Sequence, residues 1–404
     1  MKRAYTKQFS RTGGLVFSSP LYVSVFLMRF SFGLALFTIP LYLPQREFSN
    51  FVVGMIAAAY PVSETICGPI VGVLADRVGR RLLIWSGLAL STVALFAFTL
   101  NIQVSYLITV HSIQGIAAAM IVVSSLAMTT DLTHVSTRGR EMGVFDFANL
   151  GGYVLGIFMA GVLLRTHSMQ APFYFGSALA ALGAVYAYFK LKEPRSTHRS
   201  ALSPAGTIRL LLSDRRAAAM FPIWLAVTTF IGMALTFGPR VGPSPIFTSA
   251  LIGGVILILA FTQPFFGHLS DKYGRGKLMM TGMVSLVGFF ATVIVMFRRK
   301  LPFGFVLPLL AVFGIGSFAF APAALATLGD FAPKSGRGTT MGMYSVVISL
   351  GTIVGPLLGG YLLDKYGFLS LFYAGFLIII VAMMLAIMIA GPTLTIVKPL
   401  RSGS

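Results

Sequence analysis

Four ionisable side chains stand inside long apolar runs in the first half of the chain: Arg29, Glu64, His111 and Asp146. A charge at the centre of a bilayer costs about 2.5–3.5 kcal/mol on insertion scales, so such groups face a cavity and a partner. Arg29 needs an anion, which Asp146 or Glu64 could supply. At 1.5 Å per residue, Arg29 lies roughly 14 Å along its run, Glu64 about 18 Å from Asp76, and Asp146 about 8–10 Å along the fifth run, so the depths overlap. We assign Asp146 as the Arg29 partner and Glu64 as the carboxylate that takes up and releases a proton. The reverse assignment stays open, and a permanent structural ion pair is the plain alternative. Histidine changes charge near neutral pH, so His111 could join proton coupling or be a hydrogen-bonded helix residue. Gln114 and Asn149 add amides to the same candidate cavity.

Other chemistries lack their residues. Five histidines are scattered, and Cys67 is the only cysteine, so neither an intrachain disulfide nor a metal-ligand cluster is expected. Gly274-Arg275-Gly276-Lys277 is followed by Leu278 rather than Ser or Thr, and lacks the upstream spacing of a phosphate loop. No cofactor and no enzymatic activity are expected.

A second kind of chemistry sits at the ends of two runs. "GVLADRVGRR" (72–81) crowds four charges into six residues of a chain that is only 10% charged, and "GHLSDKYGRG" (267–276) echoes it. Between them, Gly72, Leu74, Asp76, Gly79 and Arg80 match Gly267, Leu269, Asp271, Gly274 and Arg275 at an offset of 195. A second block repeats at an offset of 199: "DLTHVSTRGREMG" (131–143) and "DFAPKSGRGTTMG" (330–342) share Asp131/Asp330, Arg138/Arg337 and the flanking Ser, Gly and Met. The offset continues through Gly152/Gly351, Gly156/Gly355 and Gly161/Gly360. Chance likeness between greasy helices shares Leu and Ala; shared Asp, Arg and Gly at fixed spacing implies an internal duplication.

The elements that must position these residues follow from composition. The chain of 404 residues is 56% hydrophobic, with mean hydropathy +0.86, whereas soluble domains keep about 25% charged residues. Its solvent must be lipid. Runs near 20 apolar residues, the length that spans a bilayer, occur at 20–43, 51–74, 82–100, 104–130, 141–164, 170–189, 218–238, 247–269, 278–297, 302–329, 340–363 and 367–390. Lipid tolerates no unpaired backbone, so these are expected as helices. The fold class is an all-α membrane protein: 12 transmembrane helices in two six-helix pseudo-symmetric bundles, 1–190 and 218–404, joined by a linker at 191–217. In the linker, Ser203-Pro204 reads as a helix start, giving a short amphipathic helix through Ile208–Leu212 or a flexible tether. Of the 31 Lys and Arg, 23 fall on the side of the termini and 7 on the other, with Arg29 inside a span. Both termini are therefore expected on the cytoplasmic side of the cell membrane. The net charge of +20 is a topology signal facing lipid headgroups, so no nucleic acid partner is expected. Arg298-Arg299-Lys300 runs against this trend.

With the duplication and the loop pattern at Gly72, Leu74, Asp76, Arg77, Gly79, Arg80 and Arg81 in hand, the chain resembles the major facilitator superfamily over nearly its whole length. The resemblance implies a secondary transporter with its site near mid-membrane between the halves. It also implies a cytoplasmic gate at Gly72, Asp76, Arg80, Asp131 and Arg138 and at Gly267, Asp271, Arg275, Asp330 and Arg337. In that gate Asp76 faces the start of the eleventh span and Asp271 the start of the fifth, while Arg80 and Arg275 pair with Asp131 and Asp330. Gly72 and Gly267 are expected to let another helix backbone approach closely. "HSIQG" (111–115) resembles the family's fourth-span motif with His111 in place of its arginine. The fifth span, "GGYVLGIFMAG" (151–161), keeps the glycines of the drug-antiporter motif but lacks its proline, while "GTIVGPLLGG" (351–360) carries that pattern in the eleventh.

Three Asn, six Gln and two Trp offer little for a sugar, whereas 35 Phe and 19 Met suit an adaptable apolar cavity. The expected function is proton-coupled multidrug efflux of hydrophobic or amphipathic molecules by antiport, in a monomer whose partners are the substrate, protons and membrane lipids. The alternative is a proton-coupled organic-anion symporter that binds its carboxylate at Arg29. A non-transporting receptor on the same scaffold is a remoter one.

Overall fold

A computed structural model describes residues 20–43, 48–132, 138–193, 215–240, 242–331 and 337–390. The helices are α1 (Pro20–Tyr42), α2 (Asn50–Val78), α3 (Arg80–Ala97), α4 (Val104–Leu132), α5 (Arg138–Thr166) and α6 (Ala171–Lys190). After the linker come α7 (Arg215–Phe237), α8 (Pro245–Tyr273), α9 (Arg275–Arg299), α10 (Phe303–Ser317), α11 (Phe320–Phe331), α12 (Arg337–Tyr366) and α13 (Leu369–Ala390). Twelve stretches of these helices are long and apolar enough to cross a membrane, α10 and the start of α11 counting as one. No strand occurs among the described residues. The short helix expected at 208–212 falls outside them.

The tenth span, expected to be continuous, is broken at Phe318-Ala319. Pro322 has no N–H to give the carbonyl four residues back, at Phe318. The chain tightens there into three-residue bonds, Phe318 N–H to Ile315 O (3.1 Å) and Ala319 N–H to Gly316 O (3.2 Å).

Large apolar side chains lie on the outside, with Phe189, Phe305 and Met388 each more than 70% exposed. In water such a surface would aggregate; in a bilayer it is the solvated face. Since lipid is as apolar as these side chains, helix association rests on close packing instead. The closest packing follows the internal repeat. Gly152 and Gly156 of α5 seat α1: an added Cβ would meet Phe26 O at 2.6 Å at the first and press on Phe30 O at the second. Gly351 and Gly355 of α12 seat α7 in the same way, against Thr228 and Thr229. The third glycine of each set holds the start of a further helix, Gly161 against Ser249 of α8 and Gly360 against Asn50 of α2.

Helix pairings repeat likewise. α1 packs on α5 and α6, and α3 on α4 and α6; α7 packs on α12 and α13, and α9 on α10, α11 and α13. Two compact units result. One holds residues through Tyr42, then Ser63–Thr197, and Pro239–Gly254 at the start of α8. The other holds Leu43–Val62 at the start of α2, then His198–Gly238, and Val255 onward. Each unit thus includes the first turns of one helix from the other sequence half. In the second unit an aromatic core forms where Trp224 meets Phe320 (5.0 Å between ring centroids) and Phe230 meets Phe290 (4.6 Å).

Gly156→Val is expected to lower the thermal midpoint by the equivalent of about 1–3 kcal/mol, the usual cost of overpacking. Gly254→Val, where an added Cβ meets nothing within 4 Å, is expected to leave it unchanged. Fluorescence-detected size exclusion after heating reads both.

Candidate functional site

The first unit holds a buried cation. Nine-tenths of Arg29 is shielded from solvent, on the helix whose apolar window is the most enclosed of the twelve, 72% buried against 17% for α8. Two of its hydrogen-bond partners are on α5. Arg29 Nε donates to Asn149 Oδ1 at 2.6 Å and an Nη donates to Tyr153 Oη at 2.9 Å. Asn149 and Tyr153 are four apart, so one face of α5 presents both. The guanidinium also lies over aromatic rings, 4.9 Å from the centre of Tyr153 and 6.0 Å from Phe32. Cation–π attraction of this kind contributes up to about 2 kcal/mol when desolvated. Glycines make the arrangement possible: Gly152, between Asn149 and Tyr153, and Gly156, one turn further on, bring α5 against α1, so side chains of α5 reach the guanidinium.

Glu64, half-buried on α2, lies within electrostatic reach of both Arg29 and Tyr153. Arg29, Asn149 and Glu64 are thus gathered in one place. The side chain of Asp146, expected as the arginine's partner, lies outside what the structure describes.

His111 lies on α4. It is buried and meets Phe98 edge-on at 5.6 Å, and Phe98 stacks on Phe173, which touches Tyr42. Tyr42 is thirteen residues along α1 from Arg29, about 20 Å. His111 is thus joined to an aromatic series that runs through Phe98 and Phe173 to Tyr42. Gln114, one turn further along α4, is 2% exposed, and neither of its amide atoms has a hydrogen-bond partner among the described residues. A buried polar group left without a partner costs about 1–3 kcal/mol.

The two charge clusters share a backbone device. Gly79 and Gly274 both have φ of 97°, a conformation that L side chains rarely adopt, and each reverses the chain between two antiparallel helices. The start of α3 is then capped by a residue that sequence reasoning missed. Glu193 accepts from Arg80 N–H (2.9 Å) and Arg81 N–H (2.8 Å), one carboxylate oxygen to each. The negative charge also suits the helix N-terminus. Arg80 is buried and directs an Nη toward Ala127 O at 3.4 Å. Arg275 lies 3.7 Å from Asp271, whose carboxylate is largely exposed. The side chains of Asp76, Asp131, Arg138, Asp330 and Arg337 lie outside what the structure describes. The close backbone approach expected at Gly72 and Gly267 is not seen among the described residues. An added Cβ at Gly72 finds only Val123 Cγ1 at 3.9 Å, and at Gly267 nothing within 4 Å. Backbone contact is made instead by the glycines of α5 and α12.

A second unexpected carboxylate holds the other end of α2. Asp364, at the end of α12, accepts from Asn50 N–H (2.9 Å) and Asn50 Nδ2 (2.8 Å) with one oxygen, and from Phe51 N–H (2.9 Å) with the other. Ser49 adds a local cap, accepting from Val52 N–H at 3.2 Å. The helices touch just below, where Gly54 meets Pro356.

Substitutions of the two buried amides should differ in their effect on stability. Asn149→Leu withdraws an acceptor from a buried guanidinium and is expected to cost about 1–3 kcal/mol. Gln114→Leu removes an amide that has no hydrogen-bond partner among the described residues, and is expected to leave the thermal midpoint unchanged or raised while transport falls. Thermal midpoints and uptake on the same preparations read both.

Comparison with known proteins fits this geometry. The chain is 27% identical over 378 residues to Multidrug resistance protein 2 of Bacillus subtilis, covering 88% of this chain and 91% of the relative. It is 25% identical over 354 residues to Quinolone resistance protein NorA of Staphylococcus aureus, covering 86% and 89%. Among solved structures, a bacterial homologue of the human lysosomal transporter Spinster superposes with a TM-score of 0.75 at 13% identity, covering 92% of this chain and 95% of that one; at that identity the likeness shows the fold alone. The Major Facilitator Superfamily model matches residues 21–242 and 219–402, and the chain belongs to that superfamily.

Proposed function

We propose that this transporter exports hydrophobic or amphipathic small molecules in exchange for protons, by alternating access. Residues 1–190 and 218–404 form its halves, and its termini and basic loops face the cytoplasm. The observation that carries this reading is the Arg29 cluster. A permanent cation donates to Asn149 and Tyr153 on α5, and a carboxylate on α2 stands within electrostatic reach of it. A proton on Glu64 removes the attraction between α2 and the α1–α5 pair, and its release restores it. Proton traffic thereby acts on the helices that hold the cavity together. The names of the drug-resistance relatives, and the aromatic rings beside Arg29, where Phe32 meets Tyr153 edge-on at 5.4 Å, support an apolar substrate.

With the termini cytoplasmic, the Asp364 contact lies at the outer face. It is an outer clasp, in which a carboxylate closing α12 caps the N-terminus of α2. An anion in that position contributes about 0.3–1 kcal/mol, and up to about 2 when partly buried. The expected cytoplasmic gate at Asp76 would be its counterpart at the other end of the same helix.

In proteoliposomes with an imposed pH gradient, lipophilic cations are expected to accumulate, and Glu64→Gln to abolish that accumulation while leaving substrate counterflow intact. Gradient-driven transport by Glu64→Gln at the unaltered rate would refute the assignment. If carboxylates move instead, and Arg29→Ala abolishes only their transport, the organic-anion reading replaces efflux. Asp364→Ala is expected to shift the population toward outer-side opening by up to about 30-fold, read as alkylation of a cysteine placed below the clasp.

A further inference from the structure

The basic cluster Arg298-Arg299-Lys300 stands out from the charge distribution, because it lies on the side that otherwise holds few cations. All three side chains are exposed at the end of α9. Their position is fixed by the backbone. Lys300 takes a left-handed conformation (φ 53°) that ends the helix, and Leu301 N–H closes it on Met296 O at 3.0 Å. The carbonyl end of a helix favours cations, but three adjacent ones repel one another unless an anion joins them. Among the described residues none of the three is paired with a carboxylate. Asp364, the acid at the end of α12, commits both oxygens to the start of α2.

Beside the cluster runs a groove of about 310 Å³ between α9 and α13. It is lined by Ala291, Ile294, Val295, Tyr373, Phe376 and Leu377. Ala291 lies seven residues from Arg298, about 10 Å down the helix, so the groove extends from the cluster toward the bilayer interior. Tyr373 joins the two features. It lines the groove, and its hydroxyl accepts from Arg298 Nε at 2.7 Å, with the guanidinium 5.7 Å from its ring centre. The phenol thereby orients the guanidinium and keeps its own proton to donate.

We propose that this face binds one anionic glycerophospholipid, with an acyl chain in the groove and the phosphate at the cluster. Arg298 and Arg299 offer planar forks that match a phosphate with charge-assisted bonds, Tyr373 donates its hydroxyl hydrogen, and Lys300 adds a third cation. The chemistry selects against zwitterionic headgroups, whose own ammonium competes for the phosphate. It also accounts for three cations on a face where the loop-charge rule places few.

The test uses the full chain purified in mild detergent and mixed with equimolar phosphatidylglycerol and phosphatidylcholine of the same acyl chains. Bound lipid is counted by native mass spectrometry. Wild-type protein is expected to retain phosphatidylglycerol about tenfold over phosphatidylcholine. The triple variant Arg298→Gln, Arg299→Gln, Lys300→Gln is expected to bring that ratio near one. Ala291→Trp, which fills the groove without touching the charges, is expected to lower phosphatidylglycerol retention severalfold. All variants must elute as the wild type does on size exclusion; Tyr373→Phe, which keeps the ring, serves as a milder probe and should lower the ratio if the triple variant fails to fold. A wild-type ratio of one, an unchanged ratio in the charge variants, or competition by soluble glycerol phosphate as effective as by the lipid, would each overturn the proposal.

Discussion

Within a bilayer, apolar helices gain nothing by hiding from their solvent, so what binds one to another is the closeness of their backbones. The rest of this structure depends on that closeness. Gly152 and Gly156 let α1 lie against α5, and Gly351 and Gly355 let α7 lie against α12. Once α1 and α5 touch, Asn149 and Tyr153 stand where their side chains reach Arg29. A wider spacing would leave the guanidinium to lipid, at a cost of several kcal/mol. Packing and charge satisfaction are therefore one constraint: the glycines that admit the neighbouring backbone also set the distance over which a buried cation finds its acceptors.

The sequence discloses the parts of this arrangement that solvent dictates. Twelve spans are legible because a bilayer demands about 20 apolar residues at each crossing. The duplication is legible because Asp, Arg and Gly recur at fixed offsets through apolar segments where chance shares only Leu and Ala. Its structural meaning is finer than the pattern. Gly79 and Gly274 recur because both supply a positive φ between helices, while Gly152 and Gly351 recur because each admits a backbone. One letter thus serves two physical needs, which spacing alone does not separate. The break before α11 was legible in principle from Pro322, but a single proline inside a long apolar run commonly reads as a kink.

Contacts made across the fold were the hidden part. Arg29, Asn149 and Glu64 are identifiable as polar residues in an apolar setting, whereas Tyr153 reads as one more membrane aromatic. Only its spacing of four from Asn149 hints that they share a face. Glu193 follows the last turn of α6 among basic residues and gives no local sign that its carboxylate caps α3. Asp364 reads as a helix end, because its partners at Asn50 and Phe51 lie more than 300 residues away. His111 illustrates the same point. A titratable residue in a span invites a chemical role, and the edge-on contact it makes with Phe98, itself stacked on Phe173, is one that no local pattern discloses.

Gln114 and Asn149 mark the boundary between architecture and function. Both are amides within the same packing unit, yet one bonds to a buried cation and the other to nothing among the described residues. A protein selected for stability alone would replace an unsatisfied buried amide by an apolar residue of similar volume, since that exchange is nearly neutral or favourable. Retaining it is consistent with a cycle in which the amide meets a partner in another conformation or on binding. The same reasoning applies to the clasp at Asp364. The Asp364 carboxylate accepts three hydrogen bonds from one helix start, and they sit at a surface where water can take over each donor. In the proposed cycle, contacts of this reversible kind belong at the ends of the helices, and contacts that water cannot replace, such as the glycine seats of α1 and α7, belong within a bundle.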